Sequence, residues 1–223
     1  MKRTKLSDRA LPAYTRGEEI ANMVTHILGV ALGIWVLVSC LCRSASRGDA
    51  WDVVGSSIYG AGMILLYAVS SVYHGLRPNL GKKVMQVLDH CTIYFLIGAT
   101  YTPILLSAIR PSHPAWAWTI FGPVWGCAAL GTVFTAIDLK KFSVLSMSCY
   151  IGMGWCIVLA IRPALDSMPR AAFLWILAGG IAYTVGAVLY GLGKRRRYLH
   201  TLFHGFVLLG SLLQYLGIFL HIL

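Results

Sequence analysis

Charge is scarce in this sequence. Only 12% of its 223 residues are Asp, Glu, Lys or Arg, against roughly 25% in a soluble domain. Acid is scarcer still, with 8 Asp and Glu against 19 Lys and Arg. No Cys-x-x-Cys pair occurs, and Cys40, Cys42, Cys91, Cys127, Cys149 and Cys156 all lie in or beside apolar runs. That argues against a thiolate metal site or a disulfide framework and reads as small apolar filler. Linkers, low-complexity tracts and tandem repeats are missing too. The first apolar run, residues 20–42, is longer than a signal-peptide core of roughly 7–15 residues, so it reads as a retained span.

What remains is apolar: 57% of the chain. A helix needs about 20 such residues to cross a bilayer. Seven stretches qualify, at residues 20–42, 53–76, 84–108, 115–138, 142–161, 170–192 and 200–223. Gly, Pro and charge mark nearly every break, as in "RPNLGKK", "IRPSHP", "RPALDSMP" and "GKRRRYL". The expectation is an all-α membrane protein, a single seven-helix transmembrane domain over residues 20–223. Residues 1–19 read as a short, polar, poorly ordered tail. Pro103 and Pro123 fall inside spans three and four and predict kinks.

In a soluble chain a net charge of +11 would suggest nucleic acid. Here the location of the charges matters more. Arg43, Arg47, Arg110, Arg162 and Arg170 fall on one side of the seven spans, and the other fourteen of the 19 Lys and Arg fall on the opposite side. The loops are short, so the positive-inside rule places the N-terminus in the cytoplasm and the C-terminus outside. This is the reverse of a G-protein-coupled receptor. The basic surplus reads as an orientation signal and an attraction to anionic lipid, with no nucleic-acid partner.

Few ionisable groups lie inside the spans. Glu18 and Glu19 count as tail residues and Asp138 as a solvated helix end. Asp89 alone among the acids lies clearly within a span, which makes it a functional candidate. The topology brings His74, near the end of span two, to the same depth as Asp89 and as His200 and His204, which open span seven. In "HTLFH" the two histidines are four apart and face the same way on a helix. With His74 they offer three imidazoles, and three imidazoles plus a water is a known catalytic zinc arrangement. Asp89 would orient or deprotonate that water. Ser70, one turn from His74 on the same face, would hydrogen-bond the water, Asp89 or a substrate carbonyl. The bland alternative is a polar cluster that glues helices together. His90 reads as an interhelix hydrogen-bonding residue. Glu18, Asn22 and His26 form a polar stripe that either rims the same cavity or serves the interface. His113 and His221 lie at the other side of the membrane.

"SSVYH", "LDHCTIYFLIGATYTPILL" and "HTLFH", together with the opening "EEIANMVTHILG", strongly resemble the hemolysin III family over essentially the whole chain. That family is the bacterial branch related to the progestin and adipoQ receptors and, more distantly, to alkaline ceramidases. The resemblance implies seven spans with a cytoplasmic N-terminus in a bacterial cytoplasmic membrane. It also implies zinc held by His74, His200 and His204, with Asp89 and Ser70 beside it. It further implies hydrolysis of a lipid-like amide or ester, membrane lipids as partners, and a part in membrane lipid homeostasis. Two alternatives accompany it: a non-enzymatic sensor or receptor with structural zinc, and a lytic or pore-forming protein of the kind the family name records. "IGATYTP" departs from the family pattern before "TYTP", at positions that concern packing.

Overall fold

Each apolar run folds into a helix. In this computed structural model, which describes residues 4–193 and 196–223, seven helices among the described residues are long and apolar enough to cross a membrane, and no strand is present among them. Lys2, Arg3, Lys194 and Arg195, which enter the charge count, lie outside the described residues. The helices are α1 (Arg16–Arg47), α2 (Ala50–Gly75), α3 (Leu80–Pro103), α4 (Pro114–Ile137), α5 (Ser143–Trp155), α6 (Ile161–Ser167), α7 (Arg170–Leu192) and α8 (Leu199–His221). A π-helical stretch, Ile104–Ile109, extends α3, and a 3-10 segment, Cys156–Ala160, joins α5 to α6 as the fifth span.

Local chemistry sets the helix ends. Thr15 and Glu18 make a capping box that starts α1 at Arg16. Glu18 and Glu19 therefore belong to the first helical turn and not to a tail. Gly48, at φ 78°, ends α1 in the left-handed region open to glycine. Asp49 and Asn79 cap α2 and α3. The fifth span runs to Ser167, past the break expected at "RPALDSMP". Pro163 sits in the first turn of α6, where its missing N–H costs no helical hydrogen bond. The expected disruption at Pro103 takes the form of the π stretch that follows it. α4 runs on through Pro123.

α1 packs mainly on α2, α2 on α3, and α7 on α8, and α8 closes back onto α1. Close approach is built from small residues. A Cβ on Gly29 would lie 2.3 Å from the Tyr67 ring, and one on Gly60 would meet the Leu37 backbone at 2.6 Å. The Tyr67 hydroxyl then reaches Ser211 Oγ at 2.7 Å, and Tyr183 reaches the same Ser211 oxygen at 2.7 Å, joining α2, α7 and α8. Trp35, Leu130, Val144 and Leu159 point outward and are exposed, as lipid-facing side chains are.

The segment before α1 is held against the bundle. The Thr4 N–H donates to Asp138 Oδ2 at 3.0 Å, and Arg9, itself buried, donates to the Ile137 carbonyl at 2.7 Å. Lys83 donates to the Ser7 carbonyl. Asp138 is thus buried and hydrogen-bonded where the sequence suggested a solvated end. The Thr4 and Lys141 amides hold its carboxyl down to about 2, from an ordinary 3.8.

Candidate metal centre

Three histidines from two helices meet at the N-terminal end of the bundle. His74 comes from the last turn of α2, and His200 and His204 from the first two turns of α8. All three are buried, and one ring nitrogen from each lies within 4.8 Å of the others. His204 Nε2 and His200 Nε2 are 3.1 Å apart. His74 Nε2 is buried with no hydrogen-bond partner.

The other ring nitrogens explain why the Nε2 atoms face inward. His74 Nδ1 lies 2.7 Å from Glu19 Oε2. A carboxylate accepts only, so Nδ1 carries the proton and Nε2 presents a lone pair. Lys82 Nζ, buried beneath the site, donates to Glu19 Oε1 at 2.7 Å and to the Leu76 carbonyl at 2.9 Å. His204 Nδ1 lies 3.3 Å from the Asn22 carbonyl oxygen, which fixes the same tautomer. Asn22 is fully buried and also accepts from Thr201 Oγ1 at 2.6 Å. Glu18 accepts from the Tyr198 N–H at 2.8 Å and so anchors the start of α8. Tyr14 stacks on His200, centroids 4.9 Å apart.

These residues fit a metal ion. Two nitrogens at about 2.0–2.1 Å from one tetrahedral ion stand about 3.3 Å apart, close to the His200–His204 separation. The orphaned His74 Nε2 completes a set of three, and imidazole suits zinc, copper, iron and nickel. A carboxylate on the far nitrogen is the usual support for a metal-binding histidine.

His200 and His204 open onto a cavity of about 430 Å³ that runs between α3, α5, α7 and α8. Ser70, Asp89, His90, His200 and His204 line its N-terminal end, and Ile97, Ile104, Phe173 and Val207 line much of the rest. Gln214 lies ten residues beyond His204, about 15 Å along α8. On α5 and the 3-10 segment after it the lining includes Ile151 and Val158, which are exposed on the apolar surface. Trp155 donates to Thr184 Oγ1 at 3.0 Å and joins α5 to α7.

A family model described as "Haemolysin-III related" matches residues 14–215. The chain is 38% identical over 198 residues to the Hemolysin-3 homolog of Bacillus subtilis, covering 89% of this chain and 91% of that one. It is 36% identical to Hemolysin-3 of Bacillus cereus, covering 92% of each. It is 30% identical to the human monocyte to macrophage differentiation factor, over 90% of this chain and 83% of that one. The chain belongs to the hemolysin III family. With seven apolar helices and bacterial relatives, this hemolysin III family chain is a multi-pass integral protein of the plasma membrane.

Within this hemolysin III fold the sequence candidates fall into two sets. His74, His200 and His204 converge as a group able to hold a metal ion. Asp89 and Ser70 stand outside that group but line the same cavity, and Ser70 Oγ is buried and unpartnered. His90 bonds across helices, with Nε2 3.2 Å from the Tyr190 hydroxyl. His26 is buried in the cavity wall rather than at the interface. Glu19, Lys82 and Tyr14 have site roles that sequence reading missed. Their partners lie 55 to 186 positions away, and no spacing signals such a pair. The Thr15–Glu18 capping pattern was the one local hint that α1 starts early.

Proposed function

We propose that this chain is a zinc-dependent intramembrane hydrolase of lipid-like amides or esters. The observation that supports it best is a three-histidine group, two of whose members line a long apolar cavity, with a carboxylate in the same lining that does not join the group. Structural zinc sites usually have four protein ligands, and catalytic ones keep a position open. His74, His200 and His204 would hold the ion. When bound, zinc lowers the pKa of a water toward about 7 and polarises a carbonyl oxygen. Asp89, in the cavity lining, would accept a proton from the attacking water and pass it to the leaving group. Ser70 Oγ donates to the carbonyl oxygen as charge develops on it. Glu19 keeps the His74 Nδ1 proton in place, so that Nε2 stays a donor to the ion. The apolar lining takes the lipid chain and excludes bulk water. With the N-terminus cytoplasmic, as the charge distribution argues, the reacting groups lie toward the inner leaflet, and membrane lipids supply the substrate.

Purified protein is expected to hold one zinc per chain by elemental analysis, and His200→Ala and His204→Ala to lose it. Asp89→Ala should retain zinc yet lose lipid turnover. Protein without zinc, or an Asp89→Ala variant with unchanged turnover, would defeat the proposal. A second reading, a sensor with structural zinc, draws support from the Glu19–His74, Glu19–Lys82 and Asn22–Thr201 bonds that knit α1, α2, α3 and α8 around the site. A structure with Asp89 as a direct fourth ligand would favour it. A pore needs a polar path, and the cavity lining beyond the histidines is mainly apolar.

A further inference from the structure

His26 lies one turn past Asn22 on α1 and is not used by the chemistry above. It is buried, 4% exposed, and neither ring nitrogen has a hydrogen-bond partner. Its ring is stacked on His204, centroids 3.7 Å apart and planes within 11°. An imidazole nitrogen binds in its own ring plane. An ion in the plane of His204 lies out of the plane of His26, so His26 is not a fourth ligand. Tyr67 meets it edge-on at 5.0 Å, and that contact uses neither nitrogen. Yet His26 lines the cavity.

A second buried polar group shares this layer. Ser70 is 1% exposed, and its oxygen is unpartnered. It sits one turn deeper than His74 on α2, as His26 sits one turn deeper than Asn22 on α1. In the reaction proposed above Ser70 Oγ meets the reacting carbonyl, which leaves His26 as the group whose nitrogens need a partner from the cavity, since buried polar groups are normally hydrogen-bonded. Neutral imidazole offers one donor and one acceptor, and a serine hydroxyl offers both. A hydroxyl satisfies such a layer with no charge to bury. Deeper still the lining turns mainly apolar.

We propose that His26 is a specificity-determining residue that binds a hydroxyl carried on the buried chain of the lipid. His26 stands one stacking distance, 3.7 Å between centroids, from His204, so the hydroxyl would stand about that far from the group that reacts, which is two carbon–carbon bonds and one carbon–oxygen bond along an extended chain. The ligand class is therefore a hydroxyacyl lipid, with its hydroxyl close to the carbonyl, in preference to a plain saturated acyl lipid. The inference rests on the reading of the cavity as a lipid site. It adds which chain the site selects. Sites built to bond a hydroxyl reject the analogue that lacks it, because their own polar groups are left unpaired.

The test uses the full chain, zinc-loaded, in lipid nanodiscs. 3-Hydroxytetradecanoic acid and tetradecanoic acid each displace a fluorescent fatty acid from the protein. The hydroxylated acid is expected to bind about tenfold tighter, as one buried hydrogen bond provides. His26→Phe keeps the stack on His204 but removes both nitrogens. It should bring the two acids to within about twofold, mainly by tightening the plain acid, whose complex no longer leaves buried nitrogens unpaired, while zinc content stays unchanged. His26→Gln keeps a donor and an acceptor and should restore most of the preference. Equal, tight binding of both acids to the wild type overturns this proposal and leaves the lipid-site reading standing. Binding of neither acid overturns both. A preference that survives in His26→Phe, or a His26→Gln variant that loses zinc while His26→Phe keeps it, assigns His26 to support of His204 and overturns the ligand role.

Discussion

His74 points its Nδ1 proton at Glu19, and the Nε2 lone pair is what that orientation leaves for a metal. Glu19→Gln removes the charge from this contact at little change in shape. It is expected to weaken zinc binding by about 10–100-fold, measured by competition with a chromogenic chelator. Lys82→Met should weaken it less, because Lys82 acts on Glu19 and not on a ligand. Unchanged affinity in Glu19→Gln would mean that a neutral amide oxygen accepting from Nδ1 is enough to orient the ring. The three converging histidines were legible in the sequence because one pair is four apart on a helix and charge counting set the depth of the third. Glu19 was not legible. It looked like a tail residue, since only the capping box shows that α1 has already begun there.

At the scale of elements, the stretch from Thr4 to Thr15 behaves as a strap across one end of the bundle. Asp138 is its anchor, with a carboxyl held down to about 2 by the Thr4 and Lys141 amides. A depressed folded pKa stabilises the contact above the ordinary value and loses it as pH falls toward the folded one. Pepsin cleavage within residues 4–15 should therefore rise between about pH 4 and pH 2, the window between 3.8 and about 2. Asp138→Asn should already be cut readily at the upper end of that window. Resistance throughout would show that Arg9 and Lys83 hold the strap without Asp138. The spans themselves were legible because twenty-residue apolar runs between Gly, Pro and charge have few other solutions in a bilayer. The strap was hidden because its grip comes from a helix end more than a hundred residues away. The extension of the fifth span was hidden for a different reason. A proline near its second half looks like a stop, yet it sits in a first helical turn.

For the whole molecule, one ion would tie helices from both ends of the chain. α2 and α8 supply its ligands, α1 orients two of them, and α8 closes the bundle against α1. A ligand at 1,000 times its Kd stabilises the folded state by about 4 kcal/mol. For a chain of this size that corresponds to a shift on the order of 10 °C in Tm. Chelation of zinc should lower the Tm of the purified protein by about that much, followed by tryptophan fluorescence, and added zinc should restore it. His200→Ala should start at the lower Tm and respond to neither reagent. A wild-type Tm indifferent to chelator would remove the ion from the fold's stability.

Ile151 and Val158 belong at once to the cavity lining and to the apolar surface, so a ligand in this cavity would exchange with the apolar phase around the protein. A ligand that enters past Ile151 and Val158 arrives from the surrounding apolar phase and not from water. Its effective concentration is a mole fraction, set by how many other lipids or detergent molecules share that phase. Doubling the detergent at fixed total ligand halves this quantity, although nothing has changed in the aqueous concentration. Apparent affinities for this chain will therefore agree between preparations only when ligand is counted per amphiphile, and detergent itself will act as diluent and competitor at once.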